Sequence, residues 1–324
     1  MILALGKNCA NPHRLARIRP RGTRCHVTGT PAISSLGHVE PGPMTMTDDF
    51  ESLRQFLIGV AYSMLGSLAE AEDVVQDAFL RWSASDRDTV DHPRAFLARV
   101  VSRLCLDRMK SATSRREHYV GTWLPEPMVT EASEPSAADV SVALLLTLER
   151  LSPLERAAFL LHDIFDMDYA EIAKAIGRSE AACRQLAARA REHVREDRPR
   201  FGASEDGRAK LTEAFTAAIA QGEIDPIAKL LADDATLYQD GGGKRPAAKH
   251  PIRGKDNIVQ FLTAVRRTKT AATLEQVERV YVNGLPGLLI RTSAGLETMS
   301  FEIAGDQIVA IYSIRNPDKL RHLS

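Results

Sequence analysis

Cysteine is scarce and scattered. Cys9, Cys25, Cys105 and Cys183 form no CxxC pair, so neither a disulfide framework nor a zinc site is indicated, and a reducing cytoplasmic setting fits. Net charge is missing as well, since 42 Lys and Arg balance 42 Asp and Glu. No apolar run approaches the ~18 residues that a membrane-spanning helix needs. Met1–Leu5 is short and follows no basic segment, so it does not read as a secretion signal. A secreted, membrane-embedded or cysteine-stapled protein is thereby excluded, and neither a membrane partner nor a metal is expected. What is present is ordinary for folded chains: 44% apolar and 26% charged residues over 324 positions, enough for two or three domains of ~100–200 residues each.

The neutral total hides local asymmetry. Residues 1–47 hold six Lys and Arg against Glu40, with five prolines and no apolar period; they read as a disordered basic tail or, given Met44 and Met46, as sequence upstream of the true start. From Asp48 onward Phe50, Leu53, Leu57, Val60, Ala61 and Met64 recur at helical steps. A second stripe (Val74, Val75, Ala78, Phe79, Trp82) and a third after Pro93 (Phe96, Leu97, Val100, Val101, Leu104) complete a three-helix domain over 48–118. Within it, 48–91 carries ten acids and three bases, whereas 92–118 carries seven bases and two acids. The first part repels a polyanion and the second attracts one; taken alone, a basic helix is more often a solvated face, since charge runs are usually solubility features.

Residues 119–137, with Trp123-Leu124-Pro125-Glu126-Pro127, form a stiffened linker. Its tryptophan either docks on a neighbouring domain or anchors a partner. Helices resume over 138–198. Ser152-Pro153 opens one helix. A short helix carrying Ile172, Ala173 and Ile176 then stops at Gly177, and Ser179 caps a longer one whose inner side is Cys183, Leu186, Ala187 and Ala190. Helix, glycine turn and helix at this spacing is a helix-turn-helix pattern, with Glu180, Arg184, Gln185, Ala188, Arg189 and Arg191 facing outward. Residues 205–324 begin with helices and end in β-branched runs separated by Asn283-Gly284, Ala294-Gly295 and Gly305-Asp306, an α+β domain with hairpins.

Three groups of residues carry a resemblance. Ala71–Trp82 with Pro93–Leu97 and Ser102–Asp107 resembles region 2 of extracytoplasmic-function sigma factors, and 151–193 resembles their region 4. Trp123–Pro127, Asp240-Gly-Gly-Gly-Lys244 and Asn316-Pro-Asp-Lys-Leu320 are similar to the subgroup with a C-terminal SnoaL-like domain. The resemblance covers about 48–324. It implies a multidomain chain of two all-α domains followed by a cone-shaped α+β SnoaL/NTF2-like domain. The implied function is promoter recognition by a subunit that binds core RNA polymerase and promoter DNA, without catalysis or cofactor.

The resemblance assigns roles to residues. Asp73, Gln76, Asp77 and Trp82 would grip the polymerase, acids and an aromatic anchor being a sensible contact set. Arg99, Arg103, Arg108, Lys110 and Arg115 would contact the −10 region, chiefly phosphates. Ser179, Glu180, Arg184, Gln185, Arg189 and Arg191 would face the −35 element, Arg184 reading guanine and Gln185 adenine, with Arg189 and Arg191 on phosphates. Glu180 either accepts from cytosine or favours its helix N-terminus. Trp123, Pro125, Pro127, Asp240, Lys244, Asn316, Asp318 and Lys319 would form a regulatory contact that sets how the two helical domains engage polymerase and promoter, with a small-molecule ligand in the C-terminal domain as the natural extension. The alternative is a helix-turn-helix regulator whose last domain is an enzyme-like sensor or isomerase, for which Asp240, His250, Tyr238, Arg291 and Tyr312 are the available pocket groups.

Overall fold

Residues 46–85, 90, 92–117, 119–130, 140–196, 204–268 and 272–323 are described by a computed structural model; of 46–49, 110–117 and 196 it describes the backbone alone. The basic tail of 1–45 and most of the Glu/Ser/Ala/Pro end of the linker lie outside the described residues. The first amphipathic stripe folds as α1 (Met46–Leu65), the acidic segment as α2 (Leu68–Ser83) and the basic one as α3 (Pro93–Glu117). Gly66 ends α1 at φ +69°, a left-handed conformation that glycine adopts without a Cβ clash. Ser67 then accepts from the Glu70 N–H and caps α2.

The second helical region comprises α4 (Val142–Glu149), α5 (Pro153–Phe159), α6 (Tyr169–Ile176) and α7 (Glu180–Glu196), with a π-helical turn at Leu160–Ile164 continuing α5. Ser152 and Glu155 cap α5 reciprocally. Gly177, at φ +67°, makes the corner between α6 and α7. The two helical regions do not keep separate cores. One contiguous apolar cluster runs from Phe50 through Trp82 and Val101 to Leu160, Cys183 and Val194, and Phe56 of α1 meets Phe165 edge-on at 5.6 Å between ring centres. Arg156 on α5 is 1% exposed. Its guanidinium donates to the carbonyls of Leu148 (2.9 Å) and of Met64 on α1 (2.7 Å) and pairs with Glu149.

The C-terminal region has helices α8 (Glu205–Gln221), α9 (Ile224–Leu230) and α10 (Lys255–Arg267) over a seven-stranded sheet. The strands are β1 (Val129–Thr130), β2 (Leu231–Asp240), β3 (Ile252–Arg253), β4 (Leu274–Val282), β5 (Leu285–Thr292), β6 (Gly295–Ala304) and β7 (Gln307–Ile314), in the order β1-β4-β5-β6-β7-β2-β3. All neighbours are antiparallel except β2 and β7. The expected hairpin at Asn283-Gly284 is present, with both residues at positive φ, as the twist of a two-residue turn requires. The inner face packs Leu237, Leu288, Phe301 and Ile311 against Phe215, Ile219, Ile258 and Leu262 of the helices.

Two features differ from the sequence reading. The linker contributes β1 to the sheet, Val129 pairing with Val282 and Thr130 with Tyr281. The outer sheet face is also covered: Ala310, Tyr312, Ile314 and Leu320 share an apolar cluster with Leu124 of the linker and Val142 of α4. The C-terminal region is therefore seated against linker and helical region together.

Candidate polymerase and promoter surfaces and the linker clamp

Helical spacing divides α2 into two sides. Ala71, Val74, Val75, Ala78 and Trp82 are buried, while Asp73 and Gln76 are exposed and Asp77 is half-buried. Trp82 therefore departs from its expected role. It is 1% exposed, its ring lies 5.7 Å from that of Phe96, and it is core rather than a surface anchor. The apolar group on the acidic side is Leu80, 62% exposed, which follows Gln76 by four residues and Asp77 by three, the separations that share a helix face. Sequence reasoning passed over Leu80 because Trp is the commoner anchor; the spacing itself held the signal.

Among the described residues, the basic side chains of α3 engage partners within the protein. Arg108 pairs with Asp77 at 3.1 Å and Asp73 at 3.7 Å and donates to the Glu70 carbonyl at 3.0 Å. Arg103 donates to the carbonyls of Ala175 (3.1 Å) and Lys174 (2.7 Å) at the end of α6, where a cation satisfies orphan helix carbonyls. Arg99 lies over the Phe96 ring at 5.1 Å. Arg103 and Arg108, expected on phosphates, are thus held in this arrangement by acceptors within the protein, Arg103 while still exposed and Arg108 half-buried. Of Lys110 and Arg115 the backbone alone, within α3, is described.

On α7 the outward set is mostly displayed as spacing predicts. Cys183, Ala187, Ala190 and Val194 are buried, and Ser179, Glu180, Arg184, Gln185 and Arg189 are exposed. The Ser179 hydroxyl accepts from the Ala182 N–H at 3.2 Å and caps the helix. Arg184 pairs with Glu180 at 3.0 Å and lies over Tyr169 at 5.3 Å. Arg189 reaches Glu155 at 3.7 Å. Arg191 is the exception: it donates to Asp163 (2.8 Å) and to the Tyr169 hydroxyl (3.0 Å), and these bonds hold its pKa above the usual arginine range. It ties α7 to the π-helical turn instead of facing outward.

The linker residues converge with the two C-terminal motifs. Asp240 is fully buried and accepts from the Tyr119 hydroxyl (2.5 Å), the Leu124 N–H (2.9 Å) and the Gly242 N–H (3.0 Å). Lys319 pairs with it at 2.7 Å, donates to the Leu124 carbonyl and sits 4.2 Å from the Trp123 ring centre, a cation over an aromatic face. Asn316 donates to the Tyr119 hydroxyl at 2.8 Å, and Lys244 pairs with Asp318. Burial and then the bond to Asp240 push the Tyr119 phenol upward, so it stays a neutral donor. Pro125 and Pro127 are buried, and the His322 ring meets the Pro127 carbonyl at 2.9 Å.

The other side of the linker grips the first helical region. Glu126 accepts from the N–H groups of Leu68 and Ala69 at the start of α2, a charge suited to a helix N-terminus. Its carbonyl accepts from Tyr62 at 2.5 Å, and Asn283 donates to the same Tyr62 oxygen. Trp123 lies over Gly66 so closely that a methyl there would come within 2.5 Å of its ring. Glu126, Tyr62 and Asn283 were not foreseen; their partners are distant in sequence and leave no local pattern.

The enzyme-like set does not assemble. Asp240 is consumed by the clamp, His250 and Arg291 are exposed, and Tyr238 stacks on Tyr312 on the outer sheet face. Among the described residues there is no cluster of metal-ligating side chains, and no helix is long and apolar enough to cross a membrane.

Three-helix region, helix-turn-helix and buried linker together define a sigma-type transcription factor, and comparison with known proteins agrees. Residues 50–115 match the family model "Sigma-70 region 2" and residues 141–194 match "Sigma-70, region 4". The chain is 40% identical over 287 residues to the ECF RNA polymerase sigma factor SigJ of Mycobacterium tuberculosis, spanning 84% of this chain and 92% of that protein. A crystal structure of M. tuberculosis SigJ superposes with a TM-score of 0.67 at 37% identity, over 85% of this chain and 98% of that one. The probable ECF RNA polymerase sigma factor SigI of the same species is 37% identical over 185 residues, 55% of this chain and 64% of that protein. The chain belongs to the extracytoplasmic-function RNA polymerase sigma factors.

Proposed function

We propose that the protein directs core RNA polymerase to −35 and −10 promoter elements and that its C-terminal region restrains this activity in cis. On this reading the exposed side of α2 (Asp73, Gln76, Asp77, Leu80) meets the polymerase, α3 meets the −10 region, and Ser179, Glu180, Arg184, Gln185 and Arg189 of α7 meet the −35 element. The site of action is the cytoplasm, and no reaction is catalysed by this chain. The observation that carries the regulatory part is the shared core of the two helical regions. Elements named for positions about 25 base pairs apart are separated by ~85 Å at ~3.4 Å per pair, beyond the reach of two helical regions with one core, each only ~13 Å in radius of gyration. The arrangement is therefore a closed form that must open on the promoter, and the Asp240–Lys319 clamp on the linker favours the closed form.

In vitro transcription with core polymerase on a randomised promoter library tests this, comparing the full chain with one ending after Glu196. The shortened chain is expected to initiate more strongly with the same −35 preference. Equal initiation by the two would remove the regulatory role.

A further inference from the structure

The outer face of the C-terminal sheet and helix α4 do not close on each other along their whole length. Between them lies a cleft of about 560 Å³, a size ordinary for small-molecule sites. The inner face of the C-terminal sheet is packed with apolar side chains, and a void among α8, α9 and α10 measures only about 20 Å³, room for about one water.

The floor of the cleft is the pair Tyr238 and Tyr312, stacked with 5.3 Å between ring centres and 21° between planes. Leu146 and Ala143 of α4 form the opposite wall. Because the two rings stack on each other across neighbouring strands, they turn their edges to the cleft, and an aromatic ring packs edge-to-face against them beneath the aliphatic wall. Arg150 and Arg253 line the mouth, one from each side of the interface, and guanidinium groups suit a carboxylate. Against them the lining sets exposed Asp234 and half-buried Glu302. The Tyr312 hydroxyl donates to Glu302 at 2.6 Å. Burial pushes the Glu302 carboxyl upward, which lessens its repulsion of an anion.

We propose that this cleft binds a planar aromatic acid, and that the bound molecule holds the C-terminal region against α4. The sign of the effect follows from the geometry. The two walls belong to different parts of the chain, so a ligand touching both makes its full contacts only in the closed form and shifts the population toward it. Resting on the reading above, in which the closed form is the restrained one, such a ligand lowers promoter-dependent initiation.

Calorimetric titration of the full-length protein with 1-naphthoate tests the site, with 1-naphthol and cyclohexanecarboxylate as probes lacking the charge and the flat ring. Saturable binding of 1-naphthoate is expected, with both analogues about tenfold weaker or more, a difference of ~1.4 kcal/mol. Ala143→Trp, which fills the cleft from α4, abolishes binding; Arg150→Ala, a change at an exposed position, removes the advantage of naphthoate over naphthol and needs no rebuilding of the core. Saturating 1-naphthoate lowers promoter-dependent transcription by the protein with core polymerase. Absence of saturable binding, or binding unaltered in both variants, overturns the site. Binding without any change in promoter-dependent transcription overturns the coupling. Because the titration uses free protein, it stands even if the full chain never binds polymerase, a result that would sink the sigma-factor reading instead.

Discussion

Arg108 on α3 lies 3.1 Å from Asp77 and 3.7 Å from Asp73 on α2. Two helices of opposite sign, legible in the sequence as separate surfaces, are electrically joined at this arginine. The side chains are 28%, 49% and 70% exposed for Arg108, Asp77 and Asp73, so water screens the bridge and it contributes only ~0.2–1 kcal/mol. An incoming basic partner can displace it cheaply. Replacing both acids, Asp73→Lys with Asp77→Lys, is expected to leave the melting temperature nearly unchanged while core-polymerase binding falls by an order of magnitude or more. Pull-down with purified core enzyme measures this, and retained affinity would show that α2 is not the polymerase face. Leu80→Asp, at the exposed apolar position of the same face, is expected to weaken binding in the same direction.

The Asp240–Lys319 pair behaves oppositely, because it is buried. Asp240→Asn keeps the shape but leaves Lys319 without its countercharge, and breaking a buried pair costs ~3–5 kcal/mol. Much of that cost falls on the docking of the linker, since Lys319 also holds the Leu124 carbonyl and the Trp123 ring. Limited proteolysis within 119–130 is expected to accelerate severalfold, with promoter-dependent transcription rising in parallel. If neither changes, the clamp does not control opening.

The helix-turn-helix was legible because its determinants are local: apolar spacing, the Gly177 corner and the Ser179 cap fall within a dozen residues. The helices over an antiparallel meander were legible for the same reason. The side to which each arginine turns was not. Arg103, Arg108 and Arg191 sit on helix faces where spacing permits either solvent or a neighbour, and acceptors from distant segments decide. Strand β1 was hidden because two linker residues become a strand only when Val282 and Tyr281 offer an edge. The merging of the helical regions was hidden too, since an amphipathic stripe shows that a face is buried but not what buries it. The linker motif was visible as a string of residues, yet the role of Glu126 as a charge at the start of α2 needed the folded chain.

Arg156 tests the merged core. It is a buried charge whose bonds run to Leu148 and Glu149 near by and to Met64 on α1. Arg156→Met preserves much of the volume but removes the bonds to the Leu148 and Met64 carbonyls and to Glu149, at ~0.5–3 kcal/mol for each bond lost. Urea unfolding is expected to show a midpoint lowered accordingly, with the two helical regions separating before either melts. A single transition at the original midpoint would mean that α1 and α5 do not depend on this contact.

Arg184 tests the recognition face most directly. Its side chain is 57% exposed, yet it is held by Glu180 one turn earlier at 3.0 Å and by the Tyr169 ring, so it is presented with little freedom left to lose on binding. A bidentate pair with guanine contributes ~1–3 kcal/mol of discrimination. Arg184→Ala is therefore expected to relax preference at one −35 position by roughly five- to a hundredfold while leaving other positions unchanged. Arg189→Ala should instead weaken all sequences alike and reduce the salt dependence by about one phosphate contact. Arg191→Ala should lower stability through its lost bonds to Asp163 and Tyr169, without altering which base is preferred. Promoter-library selection with each variant separates the three outcomes. Unaltered selectivity in Arg184→Ala would place sequence readout on another part of α7, with exposed Gln185 the next residue to replace.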